Sequence, residues 1–445
     1  MILDKLHHLW GRFQRRFRRF TWGGPWAATL PAQSRQNLTL FFYDGLFAAA
    51  SDKIILTYLT IYLLTLGATG QQIGLLSSLS NLTAAFLLLP AALLVERTGK
   101  RQLITLRSAT GGRLAVLIMA LLPFMLGNSR AMIWVVFSLA LVREVFNNIG
   151  YPGWMALTGD IVPFDGRGRY FGTRNFIMGV AGIITALVIG EAITRIGAPL
   201  GYQIAFILAV VFGVISMTFF AKIQDPQSGT ESLHQPQTNL RGIFSSLKGQ
   251  KQFILLCAFT AVWNFSINIA GPFFNVFMVD TLNFTAAMIG VTTVANTIAN
   301  LVIQRQAGAL ADRWGNRNVA IVFLLLIPAL PLLWGIWVRQ YWQAVLMHVL
   351  GGLFWGAYNL ASFNNLLIQT PEKLRARFSA FFQIVVTLSL AGGAALGSFL
   401  IPRIDFPGVA ITSAGGRWLA GIFFFLFVGR ETSSKALEEP SEGSE

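Results

Sequence analysis

Ala92-Leu-Leu-Val-Glu96-Arg97-Thr-Gly99-Lys100-Arg101 and, 216 residues on, Gly308-Ala-Leu310-Ala-Asp312-Arg313-Trp-Gly315-Asn-Arg317 share one pattern: a small residue, an acid followed by arginine, a glycine, and a closing arginine. A second pair repeats in the same order. Pro163-Phe-Asp-Gly-Arg167-Gly-Arg169-Tyr-Phe is matched 208 residues later by Pro371-Glu-Lys-Leu-Arg375-Ala-Arg377-Phe-Ser. Two motifs repeated at nearly one offset mark a duplicated unit.

Long apolar runs flank every one of these segments. Working outward predicts spans near 38–65, 72–95, 103–126, 131–156, 173–194 and 200–221, then 252–279, 286–307, 319–338, 341–367, 378–401 and 409–429. The run 319–338 carries no charge over twenty residues, whereas 409–429 is interrupted by Arg417. The chain of 445 residues is 54% hydrophobic and only 12% charged. Soluble proteins average about 25% charged residues, so an ordinary water-soluble enzyme is excluded and a polytopic helical membrane protein is implied. The expected organisation is a basic N-tail 1–36, a six-helix bundle 37–221, a polar linker 222–251, a second six-helix bundle 252–430, and an acidic C-tail 431–445.

The net charge of +15 would suggest nucleic acid in a soluble protein. Here it reports topology. With the N-terminus inside, 24 of the 34 Lys and Arg fall on inner segments and four on outer loops (Arg130, Arg195, Arg339, Arg403). Inner loops of membrane proteins collect cations, so both termini are expected in the cytoplasm, in a cell membrane of bacterial inner-membrane type. In the N-tail, Ile2, Leu6, Leu9, Phe13, Phe17 and Phe20 fall in one helical arc, and Lys5, Arg12, Arg15, Arg16, Arg18 and Arg19 on the other side. That pattern fits a helix lying on an anionic inner leaflet, with protein docking as the alternative. The single Cys257 excludes an intramolecular disulfide, and the scattered histidines lack metal-ligand spacing. No phosphate-loop motif occurs, and no cofactor or metal is implied.

The paired loops resemble the signature of the major facilitator superfamily of secondary transporters, over roughly residues 38–430. The copy at 308–317 departs at Asn316; the copy at 92–101 has Ala92 for glycine and Glu96 for aspartate. The resemblance implies an all-α membrane fold of twelve transmembrane helices in two pseudo-symmetric six-helix bundles, with helices 1, 4, 7 and 10 around a central cavity. It also implies a conformational latch at the inner face, mapped here to Glu96, Arg97 and Gly99, with Asp312, Arg313 and Gly315 as the second copy. A topogenic basic loop with a structural salt bridge is the alternative. The glycines suit a tight turn between closely linked helices.

Charges inside spans need partners or water, because each costs roughly 2.5–3.5 kcal/mol at mid-membrane. Asp52 and Arg143 each lie about 14 residues from an inner end, near the midplane. An Asp52–Arg143 pair is expected, with Lys53–Glu144 as the crossed arrangement. If alternating access separates such a pair, the carboxylate exchanges a proton; a static ion pair that fixes packing is the alternative. Asp44, Ser51, Tyr58 and Tyr62 share one face of the first span, Asn264, Asn268 and Asn275 one face of the seventh, and His348, Trp355, Tyr358, Asn359 and Ser362 one face of the tenth. From these, Asp44, Tyr58, Tyr62, Asn264, Asn268, Trp355, Tyr358 and Asn359 are candidates for a solute cavity, with interhelical hydrogen bonding as the alternative. Asp52, Arg143 and Glu144 are candidates for coupling.

The resulting expectation is a secondary active transporter, not an enzyme. It moves a small organic solute by alternating access, with H+ as coupling ion, as a monomer and without nucleic acid. The alternatives are a receptor or assembly factor on the same fold, or a drug-exporting antiporter. The fifth span lacks the glycine–proline run of many drug–proton antiporters.

Overall fold

A computed structural model describes residues 20–126, 130–225, 250–368 and 375–428. The amphipathic pattern over residues 2–19, most of the polar linker and the acidic C-tail lie outside the described residues. The described chain is all helix. In the first half, α1 is Ala32–Thr65, α2 Gly70–Thr98, α3 Arg101–Leu126, α4 Arg130–Ile161, α5 Arg167–Ile196 and α6 Leu200–Ala221. In the second, α7 is the span Lys251–Thr281, α8 the helix Ala286–Trp314, α9 the span Asn316–Ile336 and α10 the helix Tyr341–Ile368.

The last helix, Arg375–Phe427, breaks at Asp405, which takes a left-handed conformation (φ 52°) between Pro402 and Pro407. Its arms, 375–404 and 406–427, are α11 and α12. The two predicted spans are therefore joined by one kinked residue and not by a loop. Proline also interrupts two other predicted spans. α7 turns at Gly271–Pro272 and ends in a wider π turn, and α9 is broken at Pro328.

The surface is inverted relative to a soluble protein. Leu56, Phe86 and Leu419 are 71%, 69% and 68% exposed, while Ser51, Thr292 and Ser413 are fully buried. Large apolar groups outside and satisfied polar groups inside suit a helix bundle in lipid.

The helices pack as two units. In the first, α1 lies against α5 and α6, and α3 against α4 and α6. This unit also takes in Thr285–Gly290 from the start of α8, where the Ala287 N–H donates to Thr194 Oγ1 at 3.0 Å. In the second unit, α7 packs on the α11–α12 helix, and α9 on α10 and α12. This unit includes Thr69–Ala85, the first half of α2. Ser78 donates to the Ala391 carbonyl (2.9 Å), and Ser398 to that of Gln71 (2.7 Å). The boundary expected from sequence, which keeps α2 whole in the first bundle, is crossed by these contacts.

The repeated loops fold alike. Gly99 and Gly315 sit at φ +64° and +79°, and their N–H groups close on Val95 and Ala311 at 3.0 and 2.9 Å. A Cβ at either position meets nothing within 4 Å, so glycine is required for backbone conformation and not for space. Gly99→Ala and Gly315→Ala should each cost about 1–2 kcal/mol, and Asn should cost less because it tolerates the left-handed region. Thermal unfolding of the purified variants checks that order.

The motif's closing arginine has the same task in both halves. Arg101 pairs with Asp160 at the end of α4 and Asp225 beyond α6, while Gln102 donates to the Phe220, Ala221 and Ile223 carbonyls. Arg317 donates to the Phe425 and Val428 carbonyls at 2.9 and 2.8 Å. Donors and positive charge at the last carbonyls of a helix stabilise its C-terminal end. The start of α3 thus holds the end of α6, and the start of α9 holds the end of α12.

Candidate functional site

In the first unit, four ionic side chains converge from α1, α3 and α4. Arg113 Nη1 lies 3.4 Å and Arg143 Nη2 3.8 Å from the same oxygen, Asp52 Oδ1. Arg143 Nη1 is committed to Glu144 at 2.5 Å. The approach of Arg113 is built into α6: a Cβ at Gly213 would lie 2.0 Å from Arg113 Nε. Only glycine leaves room for that side chain to pass α6 toward α1. The Asp52 side chain is 45% exposed, against 15% for Arg113 and 6% for Arg143. The cluster is therefore an open carboxylate held loosely by one buried and one half-buried guanidinium. Both distances exceed those of a close charge-assisted hydrogen bond, typically about 2.7–2.9 Å.

The structure brings Asp52 and Arg143 together, and it adds Arg113, for which the sequence alone offers no partner. Glu144 pairs with Arg143, not with Lys53. Lys53 instead runs along α5, 3.8 Å from where a Gly182 Cβ would be.

The remaining polar stripe of α1 faces the interior of its own unit. Asp44, 6% exposed, accepts from Ser216 Oγ at 2.7 Å and lies 3.7 Å from Arg174 Nη2. Arg174 Nε donates to the Phe41 carbonyl at 3.1 Å, and its guanidinium covers the Phe41 ring. Ser51 donates to the Ala209 carbonyl and Tyr58 to that of Ala186. Tyr62 is buried beside Tyr202 and Phe206. Asp44 and Tyr58, expected to line a cavity, are thus engaged between α1, α5 and α6, and Tyr62, expected there too, is buried with no hydrogen-bond partner for its hydroxyl among the described residues. Adjacent residues on a helix point about 100° apart, which is why Ser51 turns inward while Asp52 meets α3 and α4.

In the second unit, Trp355 and Tyr358 of α10 close with Trp263 of α7 into an aromatic cluster. Ring centroids are 6.0 Å (Trp263–Trp355), 5.3 Å (Trp263–Tyr358) and 5.8 Å (Trp355–Tyr358). Trp263 is not among the residues expected from sequence, although it adjoins Asn264 and precedes Ile267 by one turn. Asn264 donates to Thr260 within its own helix. Asn268 donates to the Leu390 carbonyl at 2.7 Å and lies 3.4 Å from Ser77 Oγ. Asn359 is exposed. His348 contacts the Ala344 carbonyl and stands edge-on to Trp334.

At the loop motifs, Glu96, Arg97, Asp312 and Arg313 are exposed and make no ion pair among the described residues. The side chains at the start of α11, the latch's expected counterpart, lie outside the described residues. No group of three His, Cys, Asp or Glu that could hold a metal occurs among the described residues.

Comparison with known proteins fits this geometry. The sequence pattern of the Major Facilitator Superfamily matches residues 45–269 and again 264–444. The chain belongs to the major facilitator superfamily, a family of secondary transporters and not of catalytic enzymes. The Multidrug resistance protein MdtG of Serratia proteamaculans (strain 568) is 25% identical over 390 residues, covering 85% of this chain and 90% of that protein. MdtG of Enterobacter lignolyticus (strain SCF1) is 23% identical over 427 residues, 93% of this chain and 96% of its own length. Among solved structures, the nucleoside transporter NupG superposes with TM-score 0.69 at 13% identity, covering 88% of this chain and 98% of its own. A D-xylose-proton symporter superposes with TM-score 0.65 at 12% identity, covering 88% and 97%. At such identities these structures show a shared fold.

Proposed function

We propose that this secondary transporter couples movement of a small organic solute to protons, and that Asp52 is the group that carries the proton. The observation behind the reading is the asymmetry of the first-unit cluster. Arg143 is committed to Glu144, while Asp52 is half-exposed and shared at 3.4 and 3.8 Å by Arg113 and Arg143. Asp52 is the more water-accessible carboxylate of the cluster, and a conformational change that parts it from Arg113 and Arg143 would leave it without a counter-charge. Lys53, Asp44 one helical face away, and Arg35 near the helix start are the other charged groups on α1.

The same proposal places both termini in the cytoplasm of a bacterial inner membrane, supported by the skew of Lys and Arg toward one set of loops. The protein acts as a monomer, with its basic N-tail on the anionic inner leaflet. The later part of that tail is seated: Trp22 Nε1 donates to Thr39 Oγ1 at 2.8 Å, and a Cβ at Gly166 would run into the Trp26 ring. Relatives named multidrug resistance proteins favour outward movement of amphipathic solutes, even without the glycine–proline run in the fifth span.

The test uses protein reconstituted in proteoliposomes and a labelled solute selected by thermal-shift screening. An imposed pH gradient should accumulate that solute above equilibrium, and a protonophore should abolish the accumulation. Accumulation driven by a sodium gradient alone would overturn the reading.

A further inference from the structure

We infer that Arg417 anchors a binding site for the anionic group of an organic solute within the second unit, an assignment of substrate class that rests on the transporter reading above. Arg417 lies in mid-α12, on the helix face that also carries Ser413, Ala420 and Phe424, and it is 3% exposed. Its Nη2 donates to the Ile267 carbonyl of α7 at 3.2 Å. Its Nε is buried with no acceptor. Guanidinium offers five N–H donors and does not deprotonate in proteins.

No carboxylate lies within salt-bridge distance of Arg417 among the described residues. The contrast with the first unit is sharp. Arg143 and Arg174, equally buried, have Glu144 with Asp52 and Asp44 respectively, and Arg101 and Arg113 are paired as well. The described acids of the second unit, Asp280, Asp312 and Asp405, all sit at helix ends. Asp405 is twelve residues before Arg417, roughly 18 Å along a helix at about 1.5 Å per residue.

An unpaired buried charge is strongly destabilising, and inside a membrane bundle such residues mark ligand or ion pathways. The missing negative charge is one that a ligand can supply. The planar fork of arginine takes a carboxylate or phosphonate through two parallel N–H···O bonds. The neighbourhood suits an apolar body beside that charge. Ile267, whose carbonyl holds Arg417, packs in one cluster with Trp263, Trp355, Tyr358 and Phe424. The chemistry recognised is an oxyanion on an amphipathic, aromatic or aliphatic frame. An inorganic anion shares the charge but not the frame.

The test is thermal unfolding of the purified full-length protein at fixed ionic strength with three probes: sodium benzoate, benzyl alcohol and sodium chloride. A ligand that binds only the folded state raises the midpoint by mass action. Benzoate should raise the wild-type midpoint by a few degrees and benzyl alcohol should not. Arg417→Gln should lose the response, and Arg417→Lys should keep a reduced one. Without ligand, Arg417→Gln should unfold no earlier than wild type, since it removes an unpaired charge. A chloride response equal to that of benzoate, even if lost in Arg417→Gln, overturns the assignment to an organic solute, since an inorganic anion then suffices. The inference is overturned if Arg417→Gln responds to benzoate as wild type does, if neither anion shifts the midpoint, or if Arg417→Gln is destabilised without ligand. Should it fail while pH-driven accumulation persists, the anion assignment falls and proton coupling stands.

Discussion

Replacing Asp52 by Asn should abolish pH-driven accumulation while leaving solute exchange intact. The carboxamide keeps the shape and can still accept from Arg113, so α1, α3 and α4 should pack as before. What is removed is the ionisable carboxyl group. Counterflow, which exchanges labelled for unlabelled solute with no gradient, should stay within a few-fold of wild type. Uphill uptake should fall to the level reached without a pH gradient. Asp52→Glu should retain part of it, because the exposed carboxylate survives one methylene further out. Equal loss of counterflow and uphill uptake would make Asp52 a packing or solute-binding residue instead.

Replacing Arg174 by Met should have the largest effect on folding. Asp44 is 6% exposed, and apart from Ser216 its neutralising partner is Arg174 at 3.7 Å. Breaking a buried pair strands a charge and costs about 3–5 kcal/mol, whereas replacing both members by uncharged groups is often near neutral. Arg174→Met should therefore lower the unfolding midpoint steeply, and Asp44→Asn in the same chain should restore most of it. Residues in contact show such non-additivity, and the double-mutant cycle measures it. Additive losses would mean that the two side chains do not sense each other. Near-neutrality of the double variant would also set Asp44 apart from the transport machinery, unlike Asp52 eight residues on.

These two aspartates mark how far the sequence can be read. The repeated loops, the apolar runs and the uneven distribution of arginine are covalent facts, and they yield twelve spans in two related halves before any packing is known. The turn at Gly99 and Gly315 is readable because the residue type itself encodes the backbone conformation. The stripe of Asp44, Ser51, Tyr58 and Tyr62 is readable as a shared face, but spacing along α1 does not say which neighbour that face meets. The answer depends on α5 and α6, where Ser216, Ala186 and Ala209 supply the partners. Arg113 cannot be paired from sequence for the same reason: its route to Asp52 requires α3 to cross α6 at Gly213, far along the chain. The roles of Arg101 and Arg317 in holding the ends of α6 and α12 are likewise hidden, since their acceptors are two distant aspartates and two carbonyls. The break at Asp405 reads as a loop because Pro402 and Pro407 bracket it, while the helix in fact resumes after one residue.

The most direct measurement of proton coupling at Asp52 is solute-evoked proton movement across proteoliposomes loaded with a pH-sensitive dye, starting with no gradient of either. Adding a solute chosen by thermal shift should change the internal pH with the wild-type protein, and the same addition to Asp52→Asn liposomes, with counterflow preserved, should leave it unchanged. A wild-type protein that moves the solute without any change in internal pH, or an Asp52→Asn protein that moves protons as well as wild type, would contradict the account.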